Sequence, residues 1–116
     1  MKFKNNEHEV NYHSFIAKDD VISGDLGRES FFYLIALNTD TARHINKLYD
    51  FNNHSIKSEE GPKEQFQTDS SKKITLLAFN LFNGYSDENN DMTPLSLFSI
   101  GNDMEYLLEA MKIRLL

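Results

Sequence analysis

The chain contains no cysteine. A disulfide framework, a thiolate metal site and a cysteine nucleophile are therefore all excluded, and the composition fits a reducing compartment. It also lacks a long apolar run. The longest, Phe31 to Leu37, is far short of the ~20 residues a helix needs to span a bilayer. The opening Met-Lys-Phe-Lys-Asn-Asn-Glu has no apolar stretch after its lysines, so no secretory leader is expected. These features predict a soluble cytoplasmic protein with no membrane partner. There is no Gly-x-Gly-x-x-Gly, no P-loop and no Gly-x-Ser-x-Gly, so no cofactor is expected, and no catalytic residue is assigned.

Cations are scarce. Twelve Lys and Arg stand against eighteen Asp and Glu in 116 residues, a net charge of −6. The deficit is uneven. Residues 1–58 carry seven basic and eight acidic side chains, net −1, and residues 59–116 carry five and ten, net −5. Binding to a phosphate backbone needs a basic footprint, so direct nucleic-acid binding is not expected. A helix-turn-helix over 28–50 is disfavoured for the same reason, since Arg28, Arg43 and Lys47 face Glu29, Asp40 and Asp50. A protein partner with a basic surface remains compatible with the charge.

What is present is helical periodicity. The length fits one domain over 1–116. From Lys72 to Phe82, the residues Ile74, Leu77, Ala78, Leu81 and Phe82 form one apolar stripe, with Leu76 and Phe79 opposite. A helix apolar on both sides is a buried one, so residues 70–83 are predicted as the central helix. Asp69-Ser70-Ser71 supply its N-cap and Gly84 its end. A first helix is expected from about Asn5 to Lys18-Asp19-Asp20. The Phe31–Leu37 run fits a buried helix or a buried strand by periodicity. Helical neighbours and the lack of a partner strand favour helix. Thr39-Asp40-Thr41 would cap a further helix carrying Ala42, Ile45, Leu48 and Tyr49 inward, and Asn52 to Gln67 would be a surface loop. Thr93-Pro94 opens a short turn of helix, and Asn102-Asp103-Met104-Glu105 has capping-box spacing at the start of the last helix. That helix has two stripes, Met104, Leu107, Leu108, Met111 and Leu115, and Tyr106, Ala110 and Ile113; the pair fits a deep core position or a homodimer face. The fold class is all-α, a compact bundle of roughly five or six helices around the 70–83 helix.

Few residues invite chemistry. Asp87, Asn89 and Asp91 have the spacing of a calcium loop, but Met92 stands where that loop needs glycine and Phe98 where it needs glutamate. Glu9 with His13, and Asp40 with His44, are one helical turn apart; as ordinary surface pairs they give no metal site. Asn80 sits in the predicted buried helix, where an unpaired amide costs ~1–3 kcal/mol. It either fixes packing and closes the helix with Asn83 or lines a polar pocket with His44 and Asn83.

Four stretches together resemble a family of small proteins of unknown function from low-GC Gram-positive bacteria, their phages and mobile elements. They are Phe3 with Glu7-His8-Glu9 and Tyr12; Thr41 to Asp50; Gln67-Thr68 leading to Leu77 through Gly84; and Glu109 to Arg114. The family pattern has tryptophan where Phe66 and Phe82 stand here, and a longer segment after Gly84, which leaves the acidic loop without a family reading. The resemblance implies an accessory protein that binds and modulates a host protein, with no catalytic residue to carry over. The favoured expectation is a non-enzymatic module acting on a nucleic-acid-handling protein through Glu59, Glu60, Asp87, Glu88 and Asp91. The alternative is a small enzyme or ligand-binding domain built on His44, Asn80 and Asn83, with Glu9 and His13 at its edge.

Overall fold

The computed structural model describes all 116 residues. The fold is helical, as expected: α1 Asn6–Lys18, α2 Leu26–Leu37, α3 Thr39–Arg43, α4 Asp69–Asn83, α5 Pro94–Leu97 and α6 Met104–Leu115. Between α3 and α4 lies a hairpin of two short antiparallel strands, β1 Tyr49–Asp50 and β2 Ser55–Ile56, with Tyr49 opposite Ile56.

Helix α4 is buried along most of its length, with Ile74, Leu76, Leu77, Ala78, Phe79 and Leu81 all in the core. Its cap lies one residue earlier than the sequence suggested. Thr68 and Ser71 form a reciprocal capping box, and Gly84 closes the last turn with φ 82°. The Phe31–Leu37 run is helical and more enclosed still. Every residue of α2 from Ser30 to Leu37 is buried, because α1, α4 and α6 all pack on it. Its first turn passes so close to the end of α4 that a β-carbon on Gly27 would stand 2.6 Å from the Phe82 carbonyl oxygen. Gly27 is therefore one point of close approach between these two helices.

Three local expectations are corrected. The helix expected from Thr39 through Tyr49 stops at Arg43: Asn38, not Thr39, caps it, and a single turn of 3-10 helix at Ile45–Lys47 leads into β1. Leu48 and Tyr49 are still buried, but Leu48 closes the 3-10 turn and Tyr49 lies on β1. The polar stretch Asn52–Gln67 is not loop throughout. It carries β2 and a 3-10 turn at Gly61–Lys63 in which Gly61 and Pro62 are buried, Gly61 against Leu48 and Phe79. The capping box at Asn102–Glu105 does not form. Asp103 makes no side-chain cap, because its carboxylate turns to Lys4 at 3.0 Å.

Helix α6 buries Leu107 and Ala110 and half-buries Tyr106, Met111 and Ile113. Met104, Leu108 and Leu115 of the other stripe face outward, where they stay uncovered. Arg114 Nε donates to the Leu81 carbonyl at 2.7 Å and ties α6 to α4. No helix is long and apolar enough to cross a membrane.

Candidate functional site

Two loops distant in sequence meet beside the C-terminus of α4. The first is 55–63 and the second 83–89. They enclose two adjoining open grooves of about 410 and 430 Å3 that share Ser58, Tyr85 and Ser86. Tyr85 is the hinge of the arrangement. Its ring meets the Phe79 ring edge-on at 5.5 Å, and its hydroxyl donates to the Ser58 carbonyl at 3.4 Å and to the Asp87 carboxylate at 3.2 Å. Burial, followed by the negative Asp87 beside it, raises the Tyr85 pKa, so the phenol stays a donor.

Local chemistry fixes the second loop. Asn80 Nδ2 donates to the Tyr85 carbonyl at 2.9 Å, and Asn83 Oδ1 accepts from the Tyr85 N–H at 3.1 Å. Together with Gly84 they turn the chain out of α4. Asn80 is exposed rather than buried, because it sits on the solvent side of the last turns. His44 is not part of this arrangement. It stacks flat on Phe66 with ring centroids 4.2 Å apart, and its Nδ1 pairs with the Asp40 carbonyl oxygen at 2.8 Å. The grooves are lined by Asn83 but not by His44 or Asn80. Glu9 and His13 form an exposed pair 3.8 Å apart on α1, with no third ligand.

The acidic residues divide into two groups. Glu59 and Asp87 line the same groove, with Lys63 between them, and Glu60 and Glu88 are exposed next to them in sequence. Asp87 is held by its own turn: Oδ1 accepts from the Asn89 N–H at 2.9 Å and Oδ2 from Asn90 Nδ2 at 2.8 Å. Those bonds, the Asn89 N–H first, hold its carboxyl below the usual range. Glu59, Glu60 and Glu88 make no hydrogen bond or ion pair through their side chains, so their charges are uncommitted. Asp91 lies apart. It lines a separate groove with Asp69, Lys72 and Lys73, where two ammonium groups balance two carboxylates, and its Oδ1 accepts from the Thr93 N–H at 3.0 Å. That bond holds the Asp91 carboxyl low as well.

A family model for a family of unknown function, DUF6075, matches residues 1–115. The chain belongs to the DUF6075 family. No curated protein and no solved structure gives a significant match. The functional reading of this DUF6075 member therefore rests on its own geometry.

That geometry includes a second polar constellation with no precursor in the sequence pattern. Asp19, at the end of α1, has a carboxylate that is 0% exposed. Its Oδ2 accepts from the Tyr49 hydroxyl at 2.7 Å and lies 3.2 Å from the Arg28 guanidinium; its Oδ1 pairs with His54 Nδ1 at 2.7 Å. Tyr49 and His54 are 30 and 35 residues from Asp19. No helical or strand period links such positions, so spacing could not have found them. His8 was equally hidden. It is buried under Tyr33, accepts the Lys4 N–H at Nδ1 (3.1 Å) and donates from Nε2 to the Tyr33 carbonyl (2.9 Å). Both nitrogens are used in the neutral ring, and burial lowers its pKa. His8 thus fastens the N-terminal segment to α2 and offers nothing to a ligand.

Proposed function

We propose that this DUF6075 member is a small non-enzymatic binding module, of phage or mobile-element type, that modulates a host nucleic-acid-handling protein. It engages a basic surface of that protein through the groove between the 55–63 and 83–89 loops. The observation that carries the reading is the convergence of Glu59 and Asp87 on one groove with Tyr85 between them. Four carboxylates, Glu59, Glu60, Asp87 and Glu88, stand there or directly beside it, against Lys63 on the groove and Lys57, whose ammonium is turned to the Asn46 carbonyl. Three of the four are free of bonds within the fold, and such free charges add to association with a cationic partner rather than to stability. Asp91 is left out of the surface, since Lys72 and Lys73 line its groove.

The test is affinity capture from nuclease-treated lysate of the source organism, comparing the wild type with Glu59→Lys/Glu60→Lys/Glu88→Lys. Asp87 is left untouched so that the loop keeps its turn. A stoichiometric protein retained by the wild type, released by salt and absent from the variant supports the reading. Equal retention by both proteins refutes the groove as the binding surface.

A further inference from the structure

Of the four histidines, His54 alone has a hydrogen-bonded carboxylate on one ring nitrogen and an unengaged nitrogen in solvent. His8 uses both nitrogens inside the core. His44 lies against Phe66 and pairs with a backbone carbonyl. His13 is exposed beside an exposed Glu9 at 3.8 Å, beyond hydrogen-bond reach. His54 sits at the tip of the β1–β2 hairpin with its side chain 44% exposed, and Nδ1 is 2.7 Å from the wholly buried Asp19 carboxylate. An ionised carboxylate only accepts, so the Nδ1 proton must lie on the imidazole, and in the neutral ring the lone pair is on Nε2. Nε2 makes no hydrogen bond within the chain.

Two further features hold this geometry. Asp19 cannot swing away, because Tyr49 and Arg28 grip its other oxygen. The backbone of His54 is left-handed, φ 53°, a region a β-carbon disfavours and one in which strained functional residues are found. A carboxylate fixing one imidazole nitrogen while the other faces a reactant is the arrangement that orients histidine bases and nucleophiles.

We infer that His54, positioned by Asp19, is an acyl-accepting imidazole, a site for small activated esters or carbonates at the hairpin tip. It does not depend on the acidic groove, and catalysed hydrolysis at His54 would overturn only the non-enzymatic part of that reading, not the groove. In the first step the Nε2 lone pair forms a bond to the acyl carbon. The bond from that carbon to the leaving oxygen breaks, and the leaving group departs with the electron pair. The Nδ1 proton stays on the ring, shared with Asp19, so the charge of the acylated imidazolium lies against the carboxylate. Water then attacks the acyl carbon, the carbon–nitrogen bond breaks, and Nε2 regains its pair. The acid and the leaving alcohol carry away the protons of that water.

The experiment uses diethyl pyrocarbonate on the intact chain near neutral pH, with peptide mass spectrometry following each histidine over time. His54 is expected to be carbethoxylated before His13, although the His13 side chain is the more exposed, 63% against 44%. Asp19→Asn is expected to lose on the order of tenfold of the His54 rate relative to His13, because an amide no longer fixes the Nδ1–H form. His54→Gln should lose more of the aryl acetate hydrolysis above the buffer rate than His13→Gln does, and an equal or smaller loss overturns the inference. The inference is overturned by His13 reacting first in the wild type. It is equally overturned by a folded Asp19→Asn chain in which the His54 to His13 ratio is unchanged. Should Asp19→Asn not fold, the wild-type order of modification decides alone.

Discussion

Removing the Asp19 carboxylate tests how the hairpin is held to the helices. In Asp19→Ala three donors lose their acceptor, but unequally. Arg28 is partly exposed and already lies 3.4 Å from Asp25, so it can turn there. His54 is at the surface and can find water. The Tyr49 hydroxyl cannot, because Tyr49 is 1% exposed and enclosed by Phe31, Phe32, Phe51 and Phe82. Breaking a buried ionic group by removing one partner typically costs 3–5 kcal/mol, and the escape routes of Arg28 and His54 bring the expected cost to about 2–3 kcal/mol. Tyr49→Phe deletes one hydrogen bond to a charged acceptor that keeps its other partners, an expected loss of about 1.5 kcal/mol. In the double variant the orphaned hydroxyl no longer exists. The combined loss should therefore fall short of the sum by about 1 kcal/mol or more. Urea unfolding of the four proteins, read by tyrosine fluorescence and circular dichroism, supplies the cycle. Additive losses, or an Asp19→Ala cost below about 0.5 kcal/mol, would refute the view that this buried network anchors the hairpin.

Two further outcomes are expected. Gly27→Ala normally helps a helix, but here the new β-carbon meets the Phe82 carbonyl oxygen at 2.6 Å; the variant should lose about 1–2 kcal/mol in the same unfolding assay, and a gain would show that α2 and α4 can separate freely. His8 is neutral in the fold with its pKa lowered from 6.5, so above that value neither state gains a proton. As pH falls below it the unfolded chain is protonated first, and stability should decline by up to about 1.4 kcal/mol per unit until the folded value is reached. His8→Gln should flatten that slope below about pH 6.5, whereas an unchanged slope would place the titrating group elsewhere.

The helical class and α4 were legible from apolar period and local caps, whereas the Phe31–Leu37 run, apolar on every side, was legible only as buried, and helix was favoured there by its helical neighbours. The ends of α4 were legible to within a residue, since Thr, Ser and Gly act locally on the backbone. Local signals also misled. Thr39 to Tyr49 keeps a helical apolar pattern, yet pairing of Tyr49 with Ile56 claims its end for a strand. Asn102 and Glu105 have capping-box spacing, yet the helix starts one residue later, with Asp103 paired to Lys4 at 3.0 Å and Glu105 to Lys2 at 2.6 Å. The outward stripe of α6 reads as core from period alone, and only the position of the helix against α2 decides that Leu107 and Ala110 are the ones covered. In the candidate site, closure of α4 by Asn80, Asn83 and Gly84 was readable because it lies within five residues. The meeting of Glu59 with Asp87, and of Asp19 with His54, was not, because each is produced by tertiary packing of segments that share no period.

The most direct test of the acidic-groove account is a titration of the captured partner, once purified, against the wild type and Glu59→Lys/Glu60→Lys/Glu88→Lys at low and high salt. The account predicts tight, salt-sensitive binding by the wild type, and at least tenfold weaker binding by a variant whose thermal unfolding is unchanged, about 1.4 kcal/mol or more of lost affinity. Equal affinity for the two chains, or binding indifferent to salt, would contradict it.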